Sequence, residues 1–339
     1  MNQNEMVCCF GEALLRFSPG SDFLAEAAMP VFLGGAELNV ATALAAWDTS
    51  VKYITALPDN YLGAEIIKHI KARNINASDI KYGGDRVGSY YLRQGADLKN
   101  NSVIYDRQYS SFSMIKPGDI DWNKIFENVS RFHFSAICPA LSEQAAAVCL
   151  EAVQAAAAKN IIISVDLNYR SKLWKYGKEP IAVMKPLLEY CNLIMGNIWS
   201  AEKLAGIDLP TNFGIGSLSK SEYINEATIS AKKILEAFPH CKTVANTFRF
   251  DADTGINYYA TLHTLEANYC SAEYVVNKII DRSGSGDCFM GGLIYGSLNK
   301  FSPQQTVDFA AAAAVAKLQQ KGDATTSTSG EIKQNMKHG

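Results

Sequence analysis

Short strand-like runs, most of them largely apolar, alternate with stretches of helical spacing over most of this chain, and that rhythm constrains its fold more than any other feature. The run 161–167 (IIISVDL) is too short for a helix and mostly apolar, as a strand covered on both faces is. Runs of this kind lie at 51–57, 130–135, 161–167, 192–195 and 241–247, where strands are expected. Helices are expected between them at 36–47, 61–73, 142–159, 179–190 and 221–237, with Ser142 as the N-cap of the third. Strands buried on both faces and joined by helical crossovers build a parallel sheet. The expected class is therefore α/β: a doubly wound, mostly parallel sheet flanked by helices, formed by residues 1–339 as a single domain.

Two stretches break the rhythm. Residues 11–33 and 82–107 read as strands with turn residues and no helix between them. Strands inserted into an α/β core form a small separate sheet, and a lid over a ligand site is the functional reading of it. Tyr90, Leu92, Val103 and Tyr105 are expected to give that lid an exposed apolar face. Such a face is a liability unless another copy covers it, so a homodimer through the lid is expected. Residues 208–222 read as a polar surface insertion.

Composition removes several classes of function. Of the 339 residues, 48% are hydrophobic, enough to bury a sizeable core. Lys and Arg number 32 against 34 Asp and Glu, and no basic tail or stripe stands out, so no nucleic-acid partner is expected. The longest apolar run, 309–316, is far short of the roughly 20 residues that span a bilayer, and the N-terminus lacks a signal peptide's basic and apolar regions. No membrane partner and a cytoplasmic location are therefore expected. The eight cysteines form no C-x-x-C pair and sit mostly in apolar segments, as reduced core thiols do.

The segment carrying chemistry is Asp281-Arg282-Ser283-Gly284-Ser285-Gly286-Asp287. A glycine-rich turn here leads into an apolar helix that begins near Gly286. The first N–H groups of a helix have no acceptor within it, and the helix dipole favours negative charge at that end. Gly284 and Gly286 have no Cβ, so an anion can approach the backbone closely. Gly284, Ser285 and Gly286 would then form an anion hole for a migrating phosphoryl group. Asp287, in the first helical turn, would accept a proton from a substrate hydroxyl. Rival phosphate motifs fail. The stretch from Gly214 to Ser221 carries Ser219 where a P-loop needs its second glycine. Phe289 stands where a dinucleotide fingerprint needs its third.

The segment 281–287 resembles the D-T-x-G-A-G-D signature of the ribokinase-like (PfkB) sugar kinases. Gly34-Gly35-Ala36-Glu37-Leu38-Asn39-Val40-Ala41 resembles the same family's G-G-x-x-x-N-x-A signature, and the two occur in the family's order. The resemblance spans essentially the whole chain. Residues 11–19, 88–92, 103–107 and 166–174, together with Arg282 in place of the family's Thr, are similar to one branch, the 2-keto-3-deoxygluconate kinases. That branch implies ATP-dependent phosphorylation of the acid at O6, with ATP and Mg²⁺ as cofactors. It also implies substrate contacts from Gly35, Asn39, Tyr90, Tyr105, Arg107 and Arg170. Arginine suits such a substrate, because its guanidinium makes charge-assisted, bidentate bonds to a carboxylate.

On the nucleotide side the resemblance implies Asn197, Thr247, Arg249, Gly284 and Gly286, with 313–326 beside the adenine. Ser200 stands where the family's N-x-x-E motif has Glu, and Glu202 is displaced by two. No metal ligand is therefore assigned, beyond Asn197 acting through water. Two alternatives stay open: the same chemistry on a neutral sugar such as fructose or ribose, and a non-catalytic sugar-acid sensor on a kinase fold.

Overall fold

In the strand Met6–Phe10, alternate side chains enter different cores: Val7 and Cys9 join one buried cluster, Cys8 and Phe10 the other. Only a strand covered by helices on both faces has that pattern. The structure, a computed structural model, describes residues 6–94, 103–211, 213, 218–252 and 254–339. Parallel strands run in the order Thr243–Asp251, Leu193–Met195, Ile162–Asp166, Val129–Ser135, Met6–Phe10 and Val51–Ile54. Ile256–Thr264 turns back antiparallel beside Thr243–Asp251, and Asn268–Cys270 and Tyr274–Val276 pair with it. The α/β class and mostly parallel sheet read from the sequence are therefore what the chain adopts.

Boundaries differ where pairing decides them. The strand expected at 241–247 continues to Asp251, because Ile256–Thr264 supplies backbone partners along its whole length. The run 51–57 is split: Val51–Ile54 joins the main sheet, whereas Ala56–Leu57 pairs with Lys81–Tyr82. Ser142 caps Glu143–Ala158 as expected, accepting from the Ala145 N–H at 3.1 Å. The polar stretch 208–222 ends inside a helix, Lys220–Ala237. Ser219 and Glu222 close a reciprocal capping box at its start, a signal that outweighs the local polarity. Gly214 to Ser217 of the rejected P-loop lie outside the described residues.

The lid is a separate sheet in the order Val31–Gly34, Leu14–Phe17, Gly88–Tyr91, Ile104–Asp106. Its faces are the reverse of the expectation. Tyr90, Leu92 and Val103 are buried with Leu14 inside the chain, and Tyr105 packs against them. The outward face instead carries Phe17, Val31, Tyr91 and Ile104, with Val31 48% and Ile104 64% exposed. Phe17 and Tyr91 stack there with ring centroids 5.1 Å apart. A period-two pattern separates two faces, but both faces of this sheet are apolar, so the pattern does not say which turns inward.

Behind the main sheet, Ser285–Leu298 and Pro303–Leu318 pack closely. A Cβ at Gly292 would lie 2.5 Å from the Ala310 Cα, and Ala310 to Ala314 are all buried. This small-residue seam, with Ala36–Ala46 on its other side, fixes the helix that carries Asp287. Its neighbour Cys288 is one of eight free thiols; burial pushes it up to about 12, which leaves it inert. Among the described residues no helix is long and apolar enough to cross a membrane.

Candidate active site

The strands of the parallel sheet end at a cavity of about 650 Å³, roofed by the lid. Every residue singled out from the sequence lines it: Gly35, Asn39, Tyr90, Tyr105, Arg107, Arg170, Asn197, Thr247, Arg249 and the run Gly284, Ser285, Gly286 and Asp287.

Gly284 is the N-cap of Ser285–Leu298, at φ 78°. That left-handed conformation turns the chain sharply into the helix, and the first intrahelical bond, Cys288 N–H to Gly284 O, is 2.9 Å. The N–H groups of Ser285, Gly286 and Asp287 therefore have no acceptor in the helix and sit at the cavity wall. A Cβ at Gly284 would strike the Asp323 carbonyl, whereas one at Gly286 would meet nothing nearer than the Met195 Cε at 4.0 Å.

The Asp287 carboxylate accepts from Asn39 Nδ2 at 2.7 Å and is largely buried where it lines the cavity. Burial pushes its pKa up to about 8. The Asn39 bond and Arg170 oppose that rise, and Asp166 and Glu37 add to it. A carboxyl held near neutral pH is suited to taking a proton from an alcohol. Asn39 lines the same cavity and is only 5% exposed, and its buried Oδ1 has no hydrogen-bond partner among the described residues.

Arg107 and Arg170 both line the cavity, and they are not equivalent. Arg107 Nε pairs with Glu12 at 2.5 Å, and Glu12 also accepts from the Ser110 hydroxyl. Arg107 is thus already neutralised along one edge. Arg170 follows the C-terminal end of Ile162–Asp166; its Nη1 donates to the Tyr169 carbonyl, and no carboxylate among the described residues forms an ion pair with it. Its charge instead acts on the buried Asp166 and Asp287, whose carboxyls it pulls downward against burial.

On the other half, Asn197 caps Ile198–Ala205, its Oδ1 accepting from Ser200 N–H at 2.8 Å. Glu202 pairs with Lys203 at 3.0 Å and does not line the cavity, so it does not restore the missing acid. Among the described residues no cluster of three His, Cys, Asp or Glu side chains could hold a metal. Were Mg²⁺ to arrive with a nucleotide, Asn197 would reach it only through water, and phosphate oxygens would supply most of its ligands. Thr247 and Arg249 lie two apart on Thr243–Asp251 and so share its cavity side. Of 313–326, only Asp323 reaches the wall, and it does so beside Tyr90, whose hydroxyl donates to Asp323 Oδ2 at 3.0 Å.

Sequence reasoning missed Glu12, Asp166 and Asp323 as parts of this site. Asp166 ends a strand, and burial pushes its pKa up to about 6. Its place in Asp166-x-Asn168-x-Arg170 was the available signal. Nothing local marks Asp323.

A family model described as pfkB family carbohydrate kinase matches residues 4–329. A 2-dehydro-3-deoxygalactonokinase from Haloferax volcanii is 26% identical over 97% of this chain and 96% of its own. The crystal structure of a 2-dehydro-3-deoxygluconokinase from Thermotoga maritima superposes with a TM-score of 0.87 at 34% identity, covering 97% of this chain and 98% of that one. A fructokinase with bound ATP from Xylella fastidiosa, 19% identical over 98% of both chains with a TM-score of 0.75, shares the fold.

Proposed function

This chain belongs to the pfkB family of carbohydrate kinases, phosphotransferases with an alcohol acceptor, and we propose that its acceptor is a sugar acid, 2-keto-3-deoxygluconate, phosphorylated at O6 with ATP as donor. The observation that carries this reading is the shared cavity. It holds the open N–H groups of 285–287, a buried carboxylate beside them, and Arg170, which forms no ion pair among the described residues. The relatives from Haloferax volcanii and Thermotoga maritima support it, since both act by name on 3-deoxy-2-keto acids.

In the proposed reaction, Asp287 takes the proton of the primary hydroxyl as that oxygen attacks the γ-phosphorus of Mg·ATP. The new O–P bond forms while the bond to the bridging oxygen breaks, and ADP leaves with the electron pair. The N–H groups of Ser285 and Gly286 stabilise charge on the migrating phosphoryl oxygens. Arg170 holds the carboxylate end, and Asn39 Oδ1 accepts from an acceptor hydroxyl. Thr247, Arg249 and Asn197 attend the nucleotide. A chain with eight free thiols and this substrate works in the cytoplasm.

ADP release should be measured with 2-keto-3-deoxygluconate, its galactonate epimer, fructose and ribose. Turnover of a keto-deoxy acid at least tenfold above either neutral sugar is expected. Preference for fructose or ribose would overturn the acid reading, and no acceptor-dependent ADP release would favour the sensor. Arg170→Ala should raise KM for the acid by about 100-fold, as loss of a charge-assisted contact does, with little effect on a neutral sugar. Equal effects on both would remove Arg170 as the carboxylate anchor. Arg107→Ala is the poorer probe, because it strands Glu12 unpaired at 1% exposure and destabilises the fold itself.

We also propose a homodimer through the outward lid face of Phe17, Val31, Tyr91 and Ile104. Light scattering should give twice the chain mass, and Val31→Asp with Ile104→Asp should return it to the monomer. A monomeric unaltered chain would end that proposal.

A further inference from the structure

Arg16 lies in the lid strand Leu14–Phe17, within the segment 11–19, and does not line the cavity. It is nevertheless only 2% exposed, and among the described residues its side-chain ion pairs and hydrogen bonds go to Asp281, Ser283 and Asp323, in loops beside the anion hole. Nη2 pairs with Asp281 Oδ2 at 2.6 Å, and Nη1 donates to Ser283 Oγ at 3.2 Å. Nε lies 2.7 Å from Asp323 Oδ1, and the guanidinium stacks over Phe32 of the lid, 4.4 Å from its centroid.

Each partner is tied in turn to the hole or to the lid. Asp281 accepts from the N–H groups of Ser283, at 3.0 Å, and Gly322, at 3.2 Å. The Asp323 carbonyl packs against Gly284, and its carboxylate accepts from Tyr90. One buried guanidinium therefore joins three lid strands to the turn that aims the N–H groups of Ser285 and Gly286. A surface ion pair would not need this: two carboxylates, a hydroxyl and an aromatic face converge on a single side chain.

We propose that Arg16 is a positioning residue for phosphoryl transfer, holding the turn 281–284 in register with the lid so that the anion hole is formed where the acceptor is bound. The proposal rests on transfer at 284–287 and not on which carbohydrate is the acceptor, so it stands or falls separately from the sugar-acid reading. Because Arg16 touches neither end of the cavity, its loss should weaken the transition state and not acceptor binding.

The test uses the full chain and whichever panel acceptor it turns over best. Should none be turned over, the slow hydrolysis of ATP by water serves, since it uses the same hole. Arg16→Gln is expected to lower kcat by about 100-fold, the scale of a lost oxyanion-hole donor, with KM for the acceptor within about threefold. Arg16→Lys should recover part of the loss. Asp281→Asn should fall similarly, and the double variant no further than the worse single one, because both break one unit. A kcat within about threefold of the unaltered chain, a rise confined to KM, or additive losses in the double variant would each overturn the proposal. If Arg16→Gln does not fold, Ser283→Ala decides. It removes one hydrogen bond and keeps both ion pairs, so a kcat lowered about three- to tenfold at constant KM supports the assignment, and an unchanged kcat rejects it.

Discussion

Asp287→Asn should lower kcat by about 10²–10⁴-fold, the range a positioned general base contributes, while leaving the fold intact. The amide is isosteric, and its oxygen can still accept from Asn39 Nδ2 at the 2.7 Å contact. Stability should not suffer, and the sign can be worked out. Burial raises the Asp287 pKa from 3.8 to about 8, so the folded chain holds a proton there that the unfolded chain releases. That group therefore weakens the fold progressively as pH rises through this interval, and the amide removes the effect. The variant's Tm should match the unaltered chain's in acid and exceed it increasingly toward pH 8. The same carboxyl must be ionised to act as base, so kcat/KM should rise with pH, with unit slope, until it levels near 8. A flat profile between pH 6 and 9, or turnover by Asp287→Asn within about tenfold of the unaltered chain, would remove Asp287 from its assigned role.

Much of this site could be read from the sequence because its chemistry is local. Gly284 to Asp287 form one turn, and the orphan N–H groups, the missing Cβ atoms and the acid in the first helical turn all follow from that turn. Asn39 and Gly35 were named by a second local motif, and Arg170 by the strand end it follows. What escaped were pairings between distant segments. Glu12 neutralises Arg107 from 95 residues away, and Tyr90 meets Asp323 across 233. No periodicity encodes such contacts: spacing says which face of an element a side chain takes, and tertiary packing decides what it meets there. The lid shows the same limit. Alternation correctly grouped Tyr90 with Tyr105, but both faces being apolar, only the packed structure turned that pair inward. The consequence is chemical as well as geometric, since Arg107, expected as a substrate contact, is also half of a buried pair with Glu12.

Gly284→Ala should be the most damaging substitution in the turn, and Gly286→Ala, two residues later, provides its control. At Gly284 the backbone is left-handed, φ 78°, which costs a residue with a Cβ about 1–2 kcal/mol. The added methyl also strikes the Asp323 carbonyl, a backbone atom that cannot rotate away. Either 281–286 or the loop carrying Asp323 must shift, and both hold Arg16 and the N–H groups in place. A displacement near 1 Å in such an array costs about 100-fold in rate, so kcat should fall by at least that much, with Tm lowered by several degrees. Gly286 lies within the helix and its Cβ would have open space, with the Met195 Cε 4.0 Å away. There alanine should hold or raise Tm, since it favours helix over glycine by about 0.5–1 kcal/mol. Its methyl would nevertheless project beside the anion hole, so Gly286→Ala should lower activity without loss of stability. If Gly284→Ala kept kcat within about threefold, the turn would not be what aligns the phosphoryl group. If Gly286→Ala were fully active, the space in front of that residue would not be where the phosphoryl group passes.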